Sequence, residues 1–140
     1  MSKKNLINNF SFSQNKKNVI NDYIFKEYEK NVGINTLLRN KSYLIDSLLK
    51  KSWGRNSLKK ENICLISVGG YGRSELFPYS DIDILILIKN YNDEEVLKNI
   101  ERFIADIWHL KVQVGHSVRS VDDCITALNK DVSTYTNILD

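Results

Sequence analysis

The sequence predicts an α/β (α+β) protein, a small sheet flanked by helices and preceded by a helical arm. Two observations carry this. Before residue 62 the apolar residues recur only at helical spacing. After it, short apolar runs alternate with a glycine loop and with helical periodicity, in the order strand, loop, strand, helix, strand, helix. At 140 residues there is room for one ordinary domain. A chain near this length buries roughly 68–70% of its unfolded surface, enough for a real core.

Residues 1–15, rich in Asn, Ser and Lys, read as a flexible arm. Residues 16–58 form an N-terminal helical segment, and 59–140 the α/β core. In the helical segment Val19, Ile20, Tyr23, Ile24 and Tyr28 mark one apolar face. Ile34, Leu37, Leu38, Leu44, Ile45, Leu48 and Leu49 mark a second. Gly33 separates the two helices and Gly54 is expected to end the second. The run 63–68, closed by Gly69-Gly70, has the composition of a strand buried on both faces, and 82–88 is another such strand. Asp93 is placed to cap a helix that buries Val96, Leu97, Ile100, Phe103, Ile104, Ile107 and Trp108. A third strand is expected over 111–119. A final helix is marked by Val121, Cys124, Ile125, Leu128, Val132, Tyr135 and Ile138, with a break near Asp131.

Composition excludes several classes. The longest apolar stretch, 84–88, is far too short to span a bilayer, and the basic N-terminus lacks the apolar run of a signal peptide. A soluble cytoplasmic protein without membrane association is the expectation. Cys64 and Cys124 read as buried thiols; with two histidines they build neither a disulfide framework nor a zinc site. Net charge is +8 over 1–61 and −5 over 62–140. The lysines of the first part alternate with Leu, Ile and Tyr, so they read as solvated helix faces rather than a nucleic-acid surface.

The chemistry concentrates in VGGYGRSELFPYSDID over 68–83. Asp81 and Asp83, two apart at a strand start, point from one face while Ile82 and Ile84 point into the core. Two close carboxylates repel, and a divalent cation with hard oxygen ligands, magnesium or manganese, compensates best. Loop amides could satisfy the pair instead. Gly69-Gly70 lets a backbone approach a ligand closely, and a helical turn starting near Tyr71 would add its positive end for phosphate. The same residues also suit a plain tight turn. The motif is neither a Walker loop nor a dinucleotide fingerprint.

The combination of a strand ending in Gly-Gly, about ten residues, then Ser-Asp-x-Asp resembles the DNA polymerase β-like nucleotidyltransferase superfamily. The fuller wording closely resembles the bacterial uridylyltransferases that modify the PII nitrogen-signalling protein. VGHSVRS over 114–120 and the segment 131–140 extend the match. The resemblance implies a small mixed sheet of the nucleotidyltransferase fold. It implies that Asp81 and Asp83 hold magnesium and are catalytic, that Gly69, Gly70 and Ser80 cradle the triphosphate of UTP, and that Arg73 neutralises charge. The acceptor would be a tyrosine hydroxyl of PII, attacking the α-phosphorus with pyrophosphate leaving.

Three departures accompany it. Gln113 stands where the superfamily places a third carboxylate; Asp131 is one substitute. The family is several times longer, so the chain reads as an N-terminal fragment of such an enzyme or a shortened relative. The His-Asp uridylyl-removing region and the glutamine-sensing regions have no counterpart. Two other readings stand beside the first: a transferase of the same fold with another nucleotide or acceptor, and a non-catalytic nucleotide- or protein-binding module.

The remaining polar residues have bland readings. His116 is expected at the end of a buried face with a structural hydrogen bond, and His109 near a helix end whose dipole suits it. Tyr71 and Tyr79 suit loop packing, Glu75 suits a salt bridge to Arg73, and Arg119 suits either phosphate or Asp122 and Asp123.

Overall fold

The computed structural model describes residues 19–58, 60–109 and 113–130. The expected arm 1–15, Asp131, and the helical positions Val132, Tyr135 and Ile138 lie outside the described residues. So does the start of the expected third strand, 111–112.

Helices α1 (Val19–Glu29) and α2 (Ile34–Arg55) come first. Strand β1 (Ile63–Ser67), a single helical turn α3 (Gly69–Gly72), strand β2 (Ile82–Ile88), helix α4 (Glu94–Trp108), strand β3 (Val114–Ser120) and helix α5 (Val121–Lys130) follow. The sheet order is β1-β2-β3, with β1 antiparallel to β2 and β2 parallel to β3. This mixed sheet flanked by helices is the arrangement expected.

The register divides the sheet into two unlike faces. Ile82, Ile84, Ile86 and Ile88 share one face with Leu65, Val114 and Val118. Helices α2 and α4 cover that face, joining Leu37, Leu44, Ile45 and Leu48 to Ile100, Phe103 and Ile107 in one core. Trp53 meets Phe103 edge-on at 5.1 Å between ring centroids. The α4 cap is as expected: Asp93 accepts a hydrogen bond from the Val96 N–H at 3.0 Å.

Several expectations are corrected. Strand β1 is not buried on both faces. It is an edge strand whose second face is uncovered among the described residues, so Cys64 and Ile66 are exposed. Cys124 is only partly buried, and neither thiol is a core residue. Gly54 does not end α2. The helix continues to Arg55, and the left-handed turn after it is taken by Ser57 at φ 56°. Trp108 is 61% exposed at the last residue of α4, and the exposed His116 packs edge-on against it rather than closing a buried face. Tyr28, Ile34, Val121 and Ile125 are likewise exposed.

Candidate active site

Antiparallel pairing of β1 with β2, and parallel pairing of β2 with β3, brings the end of β1 and the starts of β2 and β3 to one end of the sheet. Two backbone hydrogen bonds tie that end together. The Val68 N–H donates to the Asp83 carbonyl at 3.1 Å, and the Ile82 N–H donates to the Gln113 carbonyl at 2.9 Å. Asp83 therefore lies between the glycine turn on one side and Gly115 on the other.

Both neighbours have to be glycines. A Cβ on Gly115 would lie 2.3 Å from Asp83 Oδ1, so the carboxylate would have to move, whereas one on Gly69 would meet Oδ2 at an ordinary 3.4 Å and it is the backbone there that asks for glycine. Gly69 holds φ +59°, which L side chains rarely adopt. The Asp83 carboxylate thus fills a slot walled by backbone. Burial first, and then the charge of Asp81, raise its proton affinity above the usual carboxylate range.

The helical turn begins at Gly69, two residues earlier than expected, and the first N–H groups of a helical turn have no acceptor within it. Gly69 is therefore at the carboxylate, Gly70 follows it in the turn with the Glu75 carbonyl as its neighbour, and Ser80 directly precedes Asp81. Arg73 sits at the far end of the turn, where its Nε pairs with Glu75 at 3.0 Å on the exposed surface. Arg119 shares the acid-bearing face but pairs in register with Leu87, four residues along, where its charge helps hold the Asp123 carboxyl low. That carboxylate accepts from the Tyr91 hydroxyl at 2.6 Å and from the Ser120 N–H at 2.8 Å, and these are the leading causes. His109 caps α4, with its Nδ1 2.5 Å from the Ala105 carbonyl. Tyr79 is fully outside the packing, whereas Tyr71 is buried.

Helix α2 reaches this loop twice. The Tyr71 hydroxyl donates to the Asp46 carboxylate, and burial first, then that bond, pushes the phenol up far beyond its ordinary range. Lys41 donates to the carbonyls of Phe77 at 2.5 Å and Pro78 at 3.0 Å. Sequence reasoning gave Asp46, Lys41 and Gly115 no role. Two of them nonetheless carried a signal. Gly115 is a glycine inside a strand pattern, a mark of close backbone approach, and Lys41 falls on the apolar stripe of α2 between Leu37–Leu38 and Leu44–Ile45.

This chain belongs to the nucleotidyltransferase domain family, whose model matches residues 46–138. Within that class the similarity is to the proteins called bifunctional uridylyltransferase/uridylyl-removing enzyme. The Hydrogenovibrio crunogenus protein is 48% identical over 109 residues, and that of a Pseudomonas fluorescens strain 42% over 108; each match covers 76% of this chain and 12% of the relative. The Pseudomonas putida protein is 38% identical over the same share. The chain thus spans about an eighth of the length of the curated relatives it matches. No solved structure matches. None of the described helices is long and apolar enough to cross a membrane.

Nucleotidyltransferases generally work with a divalent metal, and the donor set fits one. Asp81 and Asp83 offer hard oxygens, and a cation offsets both the burial and the neighbouring charge that raise Asp83. Among the described residues no group of three or more His, Cys, Asp or Glu comes together. Gln113, next to Asp81 in register, can add an amide oxygen but no charge.

Proposed function

We propose that this domain transfers UMP from UTP to a tyrosine hydroxyl of the PII nitrogen-signalling protein, with magnesium or manganese at Asp81 and Asp83. The observation that supports it most is the Asp83 slot, in which the glycine turn of one strand and the acid of the next meet at a single carboxylate. Similarity to uridylyltransferases over the same residues narrows the nucleotide.

In this reading residues 59–140 are the functional core and the helical segment 16–58 is its support. The bound metal would neutralise phosphate charge as a Lewis acid. Gly69 and Gly70 leave room for phosphate oxygens close to the backbone, Ser80 offers a hydroxyl beside the acids, and Arg73 leaves Glu75 to face the outer phosphate. Asp83, held by two backbone walls, keeps its orientation without reorganising, and such preorganisation is most of what phosphoryl-transfer sites supply. A cytoplasmic location goes with this partner.

Gln113 favours a second reading, a domain that binds nucleotide without turnover, because a neutral amide cannot act as the base for the attacking hydroxyl. One experiment separates them. The full chain is incubated with α-labelled UTP or ATP, magnesium and PII, and label on a PII tyrosine is measured alongside nucleotide binding. Label from UTP supports uridylyl transfer. Label only from ATP assigns another nucleotide, and metal-dependent binding without label assigns the binding module.

A further inference from the structure

Helix α2 reads from sequence as a generic support, yet it holds one charged side chain among its buried residues. Lys41 is 5% exposed and lies on the stripe that packs against the sheet. A buried ammonium has to place its donors, and this one places them on two consecutive carbonyls, Phe77 and Pro78, 36 and 37 residues away. Those carbonyls are part of a tight turn. The Phe77 carbonyl also accepts from the Ser80 N–H at 3.1 Å, closing residues 77–80 with Pro78 in the second position, where its fixed φ suits a turn. The next residue is Asp81.

The other end of the same segment is held from the same helix. Five residues after Lys41, Asp46 accepts the Tyr71 hydroxyl. Between these anchors Leu76 is wholly buried, and the Glu75 N–H donates to the Gly70 carbonyl at 2.8 Å. The segment from the glycine turn to the acids is therefore pinned at both ends by α2. The Lys41 anchor is the one that directly precedes the acids in the chain.

We infer that Lys41 is a positioning residue of the candidate active site: by gripping the Phe77–Ser80 turn it sets where Ser80 and Asp81 enter β2, and thereby the geometry of the acid pair. This rests on the reading of that pair as the metal–nucleotide site. Asp83 lies within the strand, against Gly115, but Asp81 precedes the strand and follows directly on this turn. Burial pushes the Lys41 ammonium down to about 8, so the charge is kept at neutral pH at a cost that the two carbonyls offset.

The test uses the full chain with Lys41→Met, which keeps the stem and removes the donors, and Lys41→Arg, which keeps donors and charge. Manganese binding in the presence of UTP is followed by calorimetry, and amide hydrogen exchange is read at Ser80 and Ile82 against Phe103 and Ile107 in α4. Lys41→Met is expected to weaken metal–UTP binding about 10- to 100-fold, the usual loss when a group orienting a metal ligand is removed. Exchange should rise in the turn and stay unchanged in α4, and Lys41→Arg should recover most of both. Parental affinity and exchange in Lys41→Met overturn the inference. So does a rise throughout the chain that Lys41→Arg fails to correct, since that is the mark of a merely structural lysine. If Lys41→Met does not fold, Lys41→Gln carries the same expectations. If the parent binds no metal–UTP, the functional reading fails, and exchange in the turn alone decides the role of Lys41.

Discussion

The two faces of the sheet are built from the same three strands and do opposite things. Toward α2 and α4 the strands present Ile82, Ile84, Ile86 and Ile88, all nearly inaccessible. Away from them they present Asp81, Asp83 and Gly115 at one end and the exposed Cys64 and Ile66 further along. The first face is closed by large side chains and the second is shaped by a missing one, since the Asp83 carboxylate lies where a Cβ on Gly115 would come within 2.3 Å of it. Stability is therefore expected to reside in one face and chemistry in the other.

The largest separation should come from Asp83→Asn. A metal supplies several kcal/mol of charge stabilisation in such reactions, so nucleotide turnover should fall by about a thousandfold or more at ~1.4 kcal/mol per decade. The melting temperature of the metal-free chain should stay level or rise, because the substitution removes a like charge beside Asp81. Turnover and a thermal melt on the same sample check both halves. A large fall in melting temperature would mean the carboxylate is a structural group.

The mirror experiment is Ile86→Ala against Ile66→Ala. Ile86 is completely buried on the helix-covered face, and its truncation should cost about 2–5 kcal/mol. Ile66, on the open face, should cost at most about 0.5 kcal/mol, as for a surface position. Urea titrations give both values. Equal costs would show that the second face is covered in solution.

Much of the first face was legible and much of the second was not. The acid pair stood out because Asp81 and Asp83 keep one parity while Ile82 and Ile84 keep the other, and the Asp93 cap stood out because its helix repeats cleanly. The exposure of β1 was hidden: an all-apolar run such as 63–66 carries no alternation, so nothing in it marks which side a helix will cover. Trp108 continued the apolar period of α4, but periodicity does not say where the covering surface stops. The role of Gly115 needed the register, because only pairing with β2 puts it against Asp83. Lys41 was visible as a misplaced charge on an apolar stripe, but its acceptors are 36 residues away and no local pattern names them.

A finer cut through the open face is Gly115→Ala. Its new Cβ would sit 2.3 Å from Asp83 Oδ1, so the carboxylate must swing or the strands must part. Misplacement by about 1 Å at a reacting centre costs about a hundredfold, and turnover should fall by that order. The melt should change far less than for Ile86→Ala, since no apolar contact is lost. A variant with parental turnover would show that the slot does not set the orientation of Asp83.

A small effect should come from the seam between the two covering helices, and its size is set by pH. The Asp106 carboxylate on α4 accepts from Ser52 Oγ at 3.1 Å and Asn56 Nδ2 at 2.6 Å, and pairs with Arg55 at 2.5 Å, all at the end of α2. Burial raises its pKa, but the donors from Arg55, Asn56 and Ser52 together outweigh it and leave the carboxyl below its ordinary value of 3.8. A carboxylate depressed on folding stabilises the folded chain above the unfolded value, and that stabilisation is lost as pH falls through the folded one. Asp106→Asn should therefore melt lower than the parent at pH 7, by about 2–4 °C for a partly screened cluster. The gap should narrow below the ordinary carboxylate range and close in stronger acid. Metal–UTP binding at pH 7 should be unmoved, because the seam lies behind the covered face. A gap that stays constant with pH would show that the Asp106 carboxylate contributes shape to the helix seam rather than charge.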